Sequence, residues 1–563
     1  MRRATLRLLV VIAALLLAPR AFAQRSGWSA PMELSPQRLE PAAAGSTTRT
    51  YGSAWLPALT TDPLGGLHAF WYSGIALAAN QGGSLDLLMY RSLHDGVWSP
   101  VREAAAPATG GYTVRVRVAV ARDGFLHAIY RRVTEIVYSK VPFEQAGDSA
   151  AWSEPQRISG FDAAYYVDLA ADSKGTLHAF WSEAVNDPND PSPGCQGCSD
   201  LFYRRSSDGG ISWSVPVNLS RSPDGENRQH VVIDNRDRIH VAWDEGIDWY
   251  ASLGVPKTGV YMRSDDGGQS WTAPTHFRLP PAAVRIAERQ QAAAAASGGR
   301  PTPGPAGASA PTTTARQDPP LDAVQQTTVG VDRAGNPLIV YRGVAVNQLY
   351  SQYSPDGGAS WLPPVEIAGL QSRASDLDAY SMATDGAGNI HLLATGYLPN
   401  EDADDPTLPP GLWHLTWNGS GWSGREPVMR NELYPEYPRL VVANGNELHA
   451  IWYTRSREDL FDSARARYKI WYSGRAAPAP RTQALPLFTP VPTVAAALVE
   501  EPTPAPTVAP TALPSELAAA PPMSGRPVWE GSGLGVLVIA ILSAVGFFGA
   551  VFGLMFFIRG RRR

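Results

Sequence analysis

Short runs of alternating apolar and polar residues, separated by tight polar turns, recur along most of this chain. The clearest mark is a Leu-His or Ile-His pair that opens an apolar run. It appears as Leu67-His68-Ala69-Phe70-Trp71, Leu126-His127-Ala128-Ile129-Tyr130, Leu177-His178-Ala179-Phe180-Trp181, Ile239-His240-Val241-Ala242-Trp243, Ile390-His391 and Leu448-His449-Ala450-Ile451-Trp452. A seventh copy, Pro337-Leu338-Ile339-Val340-Tyr341, lacks the His. Most of the preceding turns carry an aspartate: Asp62, Asp172, Asp234, Asp332 and Asp385. Apolar runs this short with period two predict strands, half-buried and bounded by turns.

Each repeat continues into a third strand, another polar turn and a W-x-x-P segment such as Trp152-Ser153-Glu154-Pro155, Trp213-Ser214-Val215-Pro216 or Trp271-Thr272-Ala273-Pro274. Four short antiparallel strands per repeat make a propeller blade. The expected fold is therefore all-β, a seven-bladed β-propeller. The seventh repeat stops after Lys469-Ile470-Trp471-Tyr472 and lacks a fourth strand, whereas Gly27-Trp28-Ser29-Ala30-Pro31-Met32-Glu33-Leu34 matches the W-x-x-P segments and stands alone near the start. This N-terminal strand is expected to join the last blade and close the ring, which removes open sheet edges.

Three turns share the pattern S-x-D-x-G-x-x-W. They carry Ser206, Asp208, Gly210 and Trp213; Ser264, Asp266, Gly268 and Trp271; and Ser354, Asp356, Gly358 and Trp361. Partial versions occur from Ser92 to Trp98 and from Trp417 to Trp422. The Asp can accept hydrogen bonds from its own turn, the glycines permit positive φ, and the Trp brings a large apolar body to bury. This pattern resembles the Asp box of sialidases and other BNR-repeat β-propellers. The resemblance implies fold more than activity, because the same turn serves propellers without chemistry. Sialidase propellers have six blades, so seven is a departure.

Aligning the seven innermost strands on the Leu-His mark gives a wholly apolar column, Leu59, Val118, Leu169, Val231, Val329, Met382 and Leu440, expected to pack between blades. One residue earlier the column reads Ala58, Arg117, Asp168, His230, Thr328, Ser381 and Arg439. Two residues before that it reads Leu56, Arg115, Tyr166, Arg228, Gln326, Ala379 and Tyr437. Period-two alternation would put both columns on one side of each strand, ringing one mouth of the channel. Arg115, Arg117, Tyr166, Arg228, His230 and Arg439 are thus candidate ligand-binding residues, suited to a carboxylate or sulfate; Arg–Asp pairs that merely hold blades together are the competing reading. The resemblance to sialidases implies three arginines on the substrate carboxylate, a Tyr–Glu nucleophile pair and an Asp acid/base. By register, Arg117, Arg228 and Arg439 would stand for the arginines, Tyr437 and Glu436 for the pair, and Asp168 for the acid. The N-terminal R-I-P motif of sialidases is absent; the nearest string, Tyr437-Pro438-Arg439-Leu440, lies in the last repeat.

The ends change the picture. Arg2 and Arg3, the apolar run Leu8 to Leu17 and Ala21-Phe22-Ala23 read as a signal peptide over residues 1–23. Residues 24–476 would form the propeller, with a disordered Ala/Pro/Gly/Thr-rich insertion at 279–320, and 477–531 a Pro/Ala/Thr-rich stalk. The uncharged stretch 534–558 reads as one C-terminal transmembrane helix, followed by a basic tail, 559–563, expected in the cytoplasm. A cleavable sorting signal has the same apolar-then-basic shape. Cys195 and Cys198, the chain's 2 cysteines, are expected to pair outside the cytoplasm.

A formal net charge of −4 over 563 residues gives no reason to expect nucleic acid. No phosphate-binding Gly loop, H-E-x-x-H or G-x-S-x-G string is present. The six recurrent histidines fall one per repeat, too dispersed for one ion, so a repeated structural role is expected and no metal site. Glu183, Asp244 and Glu245 follow the second strands on the mouth side. The loop Asn400 to Asp405 is acidic without EF-hand spacing, so no cofactor is expected beyond a weak calcium option. The expected protein is an exported, membrane-anchored propeller binding glycans, other anionic polymers or proteins. The alternatives are an exo-sialidase or related glycoside hydrolase, and a structural or assembly module.

Overall fold

The computed structural model describes residues 27–35, 51–76, 84–108, 113–160, 163–184, 198–248, 253–296, 318–373, 375, 377–460, 468–483 and 486–488. The expected signal peptide, the stalk beyond 488, the transmembrane stretch and the basic tail lie outside these residues. No helix among the described residues is long and apolar enough to cross a membrane.

Seven antiparallel sheets make up the described chain. Six are built from consecutive strands, starting at Tyr51–Thr61, Thr113–Val120, Ala164–Ala171, Glu226–Ile233, Val324–Val331 and Tyr380–Thr384. The seventh combines Tyr434–Ala443, Glu447–Arg455 and Lys469–Ala476 with the N-terminal strand Met32–Glu33. Met32 pairs with Tyr472 and Glu33 with Trp471. The Leu34 amide donates to the Ile470 carbonyl at 2.8 Å, and the Ser29 amide to Gly474 at 2.9 Å. The fourth strands begin at the residue after the W-x-x-P proline, at Val217 after Pro216 and Thr275 after Pro274, so the Trp precedes the strand instead of starting it.

Neighbouring blades share apolar cores. The aromatic residues that end the Leu-His runs, Trp71, Trp181, Trp243 and Trp452, are fully buried there. Leu34, Trp71, Tyr437, Ile451 and Ile470 join the last blade to the first. Leu59, Val118, Leu169, Val329 and Leu440 of the apolar column are buried in these layers.

The recurrent histidines share one task, except His391, whose Nδ1 meets His414 Nε2 at 3.0 Å. His127 Nδ1 lies 2.7 Å from Tyr138 Oη, His178 Nδ1 2.8 Å from Tyr203 Oη, and His240 Nδ1 2.7 Å from Tyr261 Oη. The tyrosine stands on the third strand of the same blade, and the next blade's S-x-D-x-G-x-x-W turn closes over it. Trp213, Trp271 and Trp361 meet Tyr138, Tyr203 and Tyr261 edge-on with ring centres 5.2, 5.2 and 5.1 Å apart. Within the turns, Asp208 accepts from Ser206 Oγ and the Ser212 amide, Asp266 from Ser264 Oγ and the Ser270 amide, and Asp356 from Ser354 Oγ and the Ser360 amide. The motif therefore links blades as well as shaping a turn.

Gly268 makes that link testable. Its φ is +82°, and a Cβ there would meet Tyr203 Oη at 1.8 Å; Gly267 has φ +68° and open space around it. Gly267→Ala is expected to cost about 1–2 kcal/mol, the left-handed backbone penalty. Gly268→Ala should cost about 1–3 kcal/mol more, because it also pushes the blades apart. Urea denaturation of the two variants checks this; equal losses would refute the contact argument.

Two segments differ from expectation. Pro281–Ala296, placed in a disordered insertion by its composition, forms a helix. Ala283 and Ala287 are buried against Val329, Ile339 and Tyr341 of the fifth blade. Alanines four apart put one small-residue face on the sheet, a stripe too weakly apolar to register as a period. The stalk also starts later than residue 477. Ala477 donates to Asn446, Thr482 to Asn444, and Phe488 to Arg122 through backbone amides at 2.7, 2.9 and 2.7 Å. The Arg122 guanidinium lies 4.4 Å from the centre of the Phe488 ring. Pro-rich chain thus runs along the face of the first-to-second-strand turns from the seventh blade to the second.

Candidate functional site

The innermost strands do not alternate strictly. Leu56, Arg115, Arg228, Gln326 and Tyr437, five members of one aligned column, have φ between +49° and +59°. Each sits at a bulge where the strand carries one extra residue, as between Asn227 and His230 or Glu436 and Arg439. Simple period-two reasoning fails there. Even so, Arg115 and Arg117 both reach Tyr437: the Arg115 guanidinium is 6.0 Å from its ring centre, and Arg117 Nη1 donates to its hydroxyl at 2.9 Å.

The sixth blade is the exception that organises the channel. Its first strand begins late, at Tyr380, and pairs without a bulge. The residues ahead of it turn inward. The Ser375 carbonyl accepts from Arg228 Nη1, Leu377 packs on the core between the last and first blades, and Asp378 enters a group of arginines. Asp378 Oδ2 accepts from Arg117 Nη2 at 3.1 Å and Arg439 Nη2 at 2.5 Å, and His230 Nε2 is 3.9 Å from Oδ1. Burial alone would raise the Asp378 carboxyl; Arg439, His230, Arg117 and Arg115 outweigh it and hold the group well below the usual carboxylate range. Burial also drives His230 down, towards the neutral imidazole.

The remaining candidates surround this hub. The Arg439 guanidinium lies 3.6 Å from the Tyr437 ring centre, and Arg115 stacks on Tyr166 and Tyr165 at 4.2 and 4.6 Å. Burial would raise the Tyr437 hydroxyl, but Arg117 and Arg439 prevail and lower it. Arg228 pairs with Asp244 at 2.5 Å, both side chains about 1% exposed. Asp244 also accepts the Gln326 and Thr327 amides of the next blade at 2.8 Å each. Four arginines therefore face three carboxylates, Asp168, Asp244 and Asp378, of which only Asp168 stands in the aligned columns. The space bounded by Arg228, His230, Gln326, Thr328, Asp378 and Tyr380 has no room for a water molecule.

The sialidase-like constellation is not assembled. Glu436 accepts from Tyr453 Oη at 2.5 Å and pairs with Arg455, not with Tyr437; successive residues of a strand face opposite sides. Asp168 accepts the Leu169 and Val231 amides at 3.0 and 2.8 Å and stands 3.3 Å from Arg117, tying the third blade to the fourth. Glu183 accepts Trp181 Nε1 at 2.7 Å and the Gly160 amide at 3.1 Å. Glu245 accepts Ser222 and Thr258 hydroxyls, so these carboxylates serve the fold and not a mouth. In the acidic loop Glu401 is held by Arg430 and Asp405 caps Thr407. Cys198 is disulfide-bonded, and Cys195, the chain's other cysteine, lies outside the described residues.

Sequence reasoning missed Asp378. It lies one residue before an aligned column, and nothing in residue type marks it; the late start of its strand is what carries it inward.

No family model and no curated protein matches this chain. Among solved structures, a protein of unknown function from Dyadobacter fermentans is similar over 76% of this chain and 95% of its own, at 12% identity and a TM-score of 0.42. A Hadza microbial sialidase covers 74% of this chain and 77% of its own, at 14% identity and TM-score 0.39. A PL25 ulvan lyase covers 64% and 80%, at 13% identity and TM-score 0.37. Resemblance this shallow transfers no chemistry, and the propeller rests on its own strand pairing.

Proposed function

We propose that this chain is a non-hydrolytic propeller that binds acidic glycans or similar polyanions outside the cell, anchored by its C-terminal apolar stretch. One observation carries the reading. The channel gathers four arginines, two of them paired with the inward-turned Asp378, and leaves Arg115 Nε and Nη1 and Arg439 Nε buried without a hydrogen-bond partner. Buried guanidinium donors seek oxygen acceptors. An acidic group of a ligand would compete with Asp378 for the same donors, with Tyr165 stacked on Arg115 as an aromatic surface for a sugar ring.

The glycosidase alternative keeps one supporting observation, the acidified Tyr437 hydroxyl between Arg117 and Arg439. Against it, Glu436 and Asp168 are committed elsewhere, which leaves a nucleophile without its base or its acid. The S-x-D-x-G-x-x-W turns fit the BNR/Asp-box reading and serve here as blade links.

The full chain would be assayed on an array of sialylated, uronate-bearing, sulfated and neutral glycans, and in parallel with a fluorogenic sialoside. Expected are salt-sensitive binding of acidic glycans, at least a tenfold loss in Arg117→Gln, and no turnover. Turnover that vanishes in Tyr437→Phe would establish the enzyme instead. Silence on the array would leave only the assembly role.

A further inference from the structure

The turn between the first two strands repeats around the ring, and its aspartate is served in a consistent way. In the fourth blade Arg238 Nε donates to Asp234 Oδ2 at 2.7 Å. In the sixth, Asn389 Nδ2 donates to Asp385 Oδ2 at 3.0 Å, and in the fifth Asn336 Nδ2 approaches Asp332 Oδ2 at 3.4 Å. The donor is in each case the residue just before the second strand. In the first blade that residue is Gly66, which has no side chain to offer.

A histidine stands in the vacant space. His94 follows the third-strand residue paired with Leu67; the same register places Ser207, Asp265 and Pro355 at the equivalent point of other blades. A Cβ on Gly66 would meet His94 Cε1 at 2.2 Å and Asp62 Oδ2 at 2.4 Å. The glycine is what lets the imidazole approach. Yet His94 Nδ1 stops 4.0 Å from Asp62 Oδ2, beyond a hydrogen bond. His68 Nε2 lies 3.1 Å from the same oxygen, and the three ligand atoms fall within 4.8 Å of one another. Among the described residues this is the one group of His, Cys, Asp and Glu with such spacing.

We infer that Asp62, His68 and His94 form a binding site for a divalent transition ion of the zinc type. Two imidazole nitrogens and a carboxylate oxygen suit such an ion, and bonds of about 2.0–2.2 Å place the ligand atoms a little over 3 Å apart. His94, about half exposed, closes the gap by a small swing and leaves an open position towards solvent. His68 is already oriented: its Nδ1 is 2.9 Å from Tyr90 Oη. On binding, Nε2 gives its lone pair to the ion and Nδ1 carries the proton, donated to the tyrosine oxygen. Asp62 Oδ1 stays fixed by the Leu64 and Gly66 amides at 2.7 and 2.9 Å, so Oδ2 is the free ligand. In the other repeats no second imidazole stands beside the aspartate: His391 meets Asp385 through Nε2, and its neighbour His414 lies on the opposite, Nδ1 side. This site lies at the turns opposite the arginine cluster and does not depend on the glycan reading.

The test uses untagged full-length protein stripped with a chelator. Zn(II) is titrated in competition with a chromophoric chelator, and Co(II) binding is followed by its visible absorption. One equivalent should bind. His94→Ala should weaken binding by at least about tenfold and abolish the cobalt spectrum. Gly66→Asn, whose Cβ takes the space that His94 enters, should do the same. Absence of stoichiometric Zn(II), or equal affinity in wild type and both variants, would overturn the proposal.

Discussion

Replacing Asp378 with alanine should be the most damaging single substitution in the channel, lowering stability by about 3–5 kcal/mol, the usual cost of removing one partner from a buried ion pair. The carboxylate accepts from Arg117 and Arg439 on two different blades and faces His230 on a third. Without it the second and seventh blades keep buried positive charge around Tyr437 with fewer acceptors. Arg117 retains Asp168, 3.3 Å away, so the loss falls most heavily on Arg439. Asp378→Asn keeps the shape and part of the hydrogen bonding and should cost less. Urea denaturation at neutral pH ranks the two. An alanine variant within about 0.5 kcal/mol of wild type would show that the cluster holds nothing together.

The same pair has a pH signature. The Asp378 carboxyl is held below its ordinary value in the folded protein. Its contribution is therefore complete above the unfolded value near 4 and is lost as pH falls below that towards the folded value. The stability gap between wild type and Asp378→Asn should stay constant above about pH 5 and narrow below about pH 4. A gap that widens with acid would reverse the sign of the argument. His230 cannot supply this trend, since burial already disfavours its charged form at neutral pH.

The blade count, the closing strand and the interblade apolar column were legible because they rest on period-two burial and on local turn chemistry. Trp71, Trp181, Trp243 and Trp452 announce buried second strands by composition alone. The arginine cluster was legible in part: Arg115, Arg117, Arg439 and Tyr437 do meet. What a linear alignment could not carry was the bulge, which adds one residue between Glu436 and Arg439. Nor could it carry Asp378, whose position depends on a strand that starts late at Tyr380. Asp168 and Asp244 were in view along the sequence; the acceptor that was not, Asp378, comes from a non-strand segment. The helix Pro281–Ala296 escaped for a related reason: an alanine face buries little area per residue and so leaves a faint pattern.

Deleting Gly27–Ser35 should open the ring. Lys469–Ala476 would then present an unpaired edge, with Ile470 and Tyr472 uncovered. Leu34 is fully buried between the first and last blades, and its amide holds Ile470. Leu34→Ala alone should cost about 2–5 kcal/mol. Leu34→Pro removes the amide donor as well and should approach the deletion in effect. An open strand edge invites pairing with other copies, so the deleted protein should elute as soluble aggregates with a thermal midpoint lower by about 10 °C or more. A peptide spanning residues 24–36, added in trans, should restore monomer and midpoint by filling the same edge. Unchanged elution and a midpoint within about 2 °C of wild type would mean that the last blade is stable with three strands and that the ring needs no N-terminal closure.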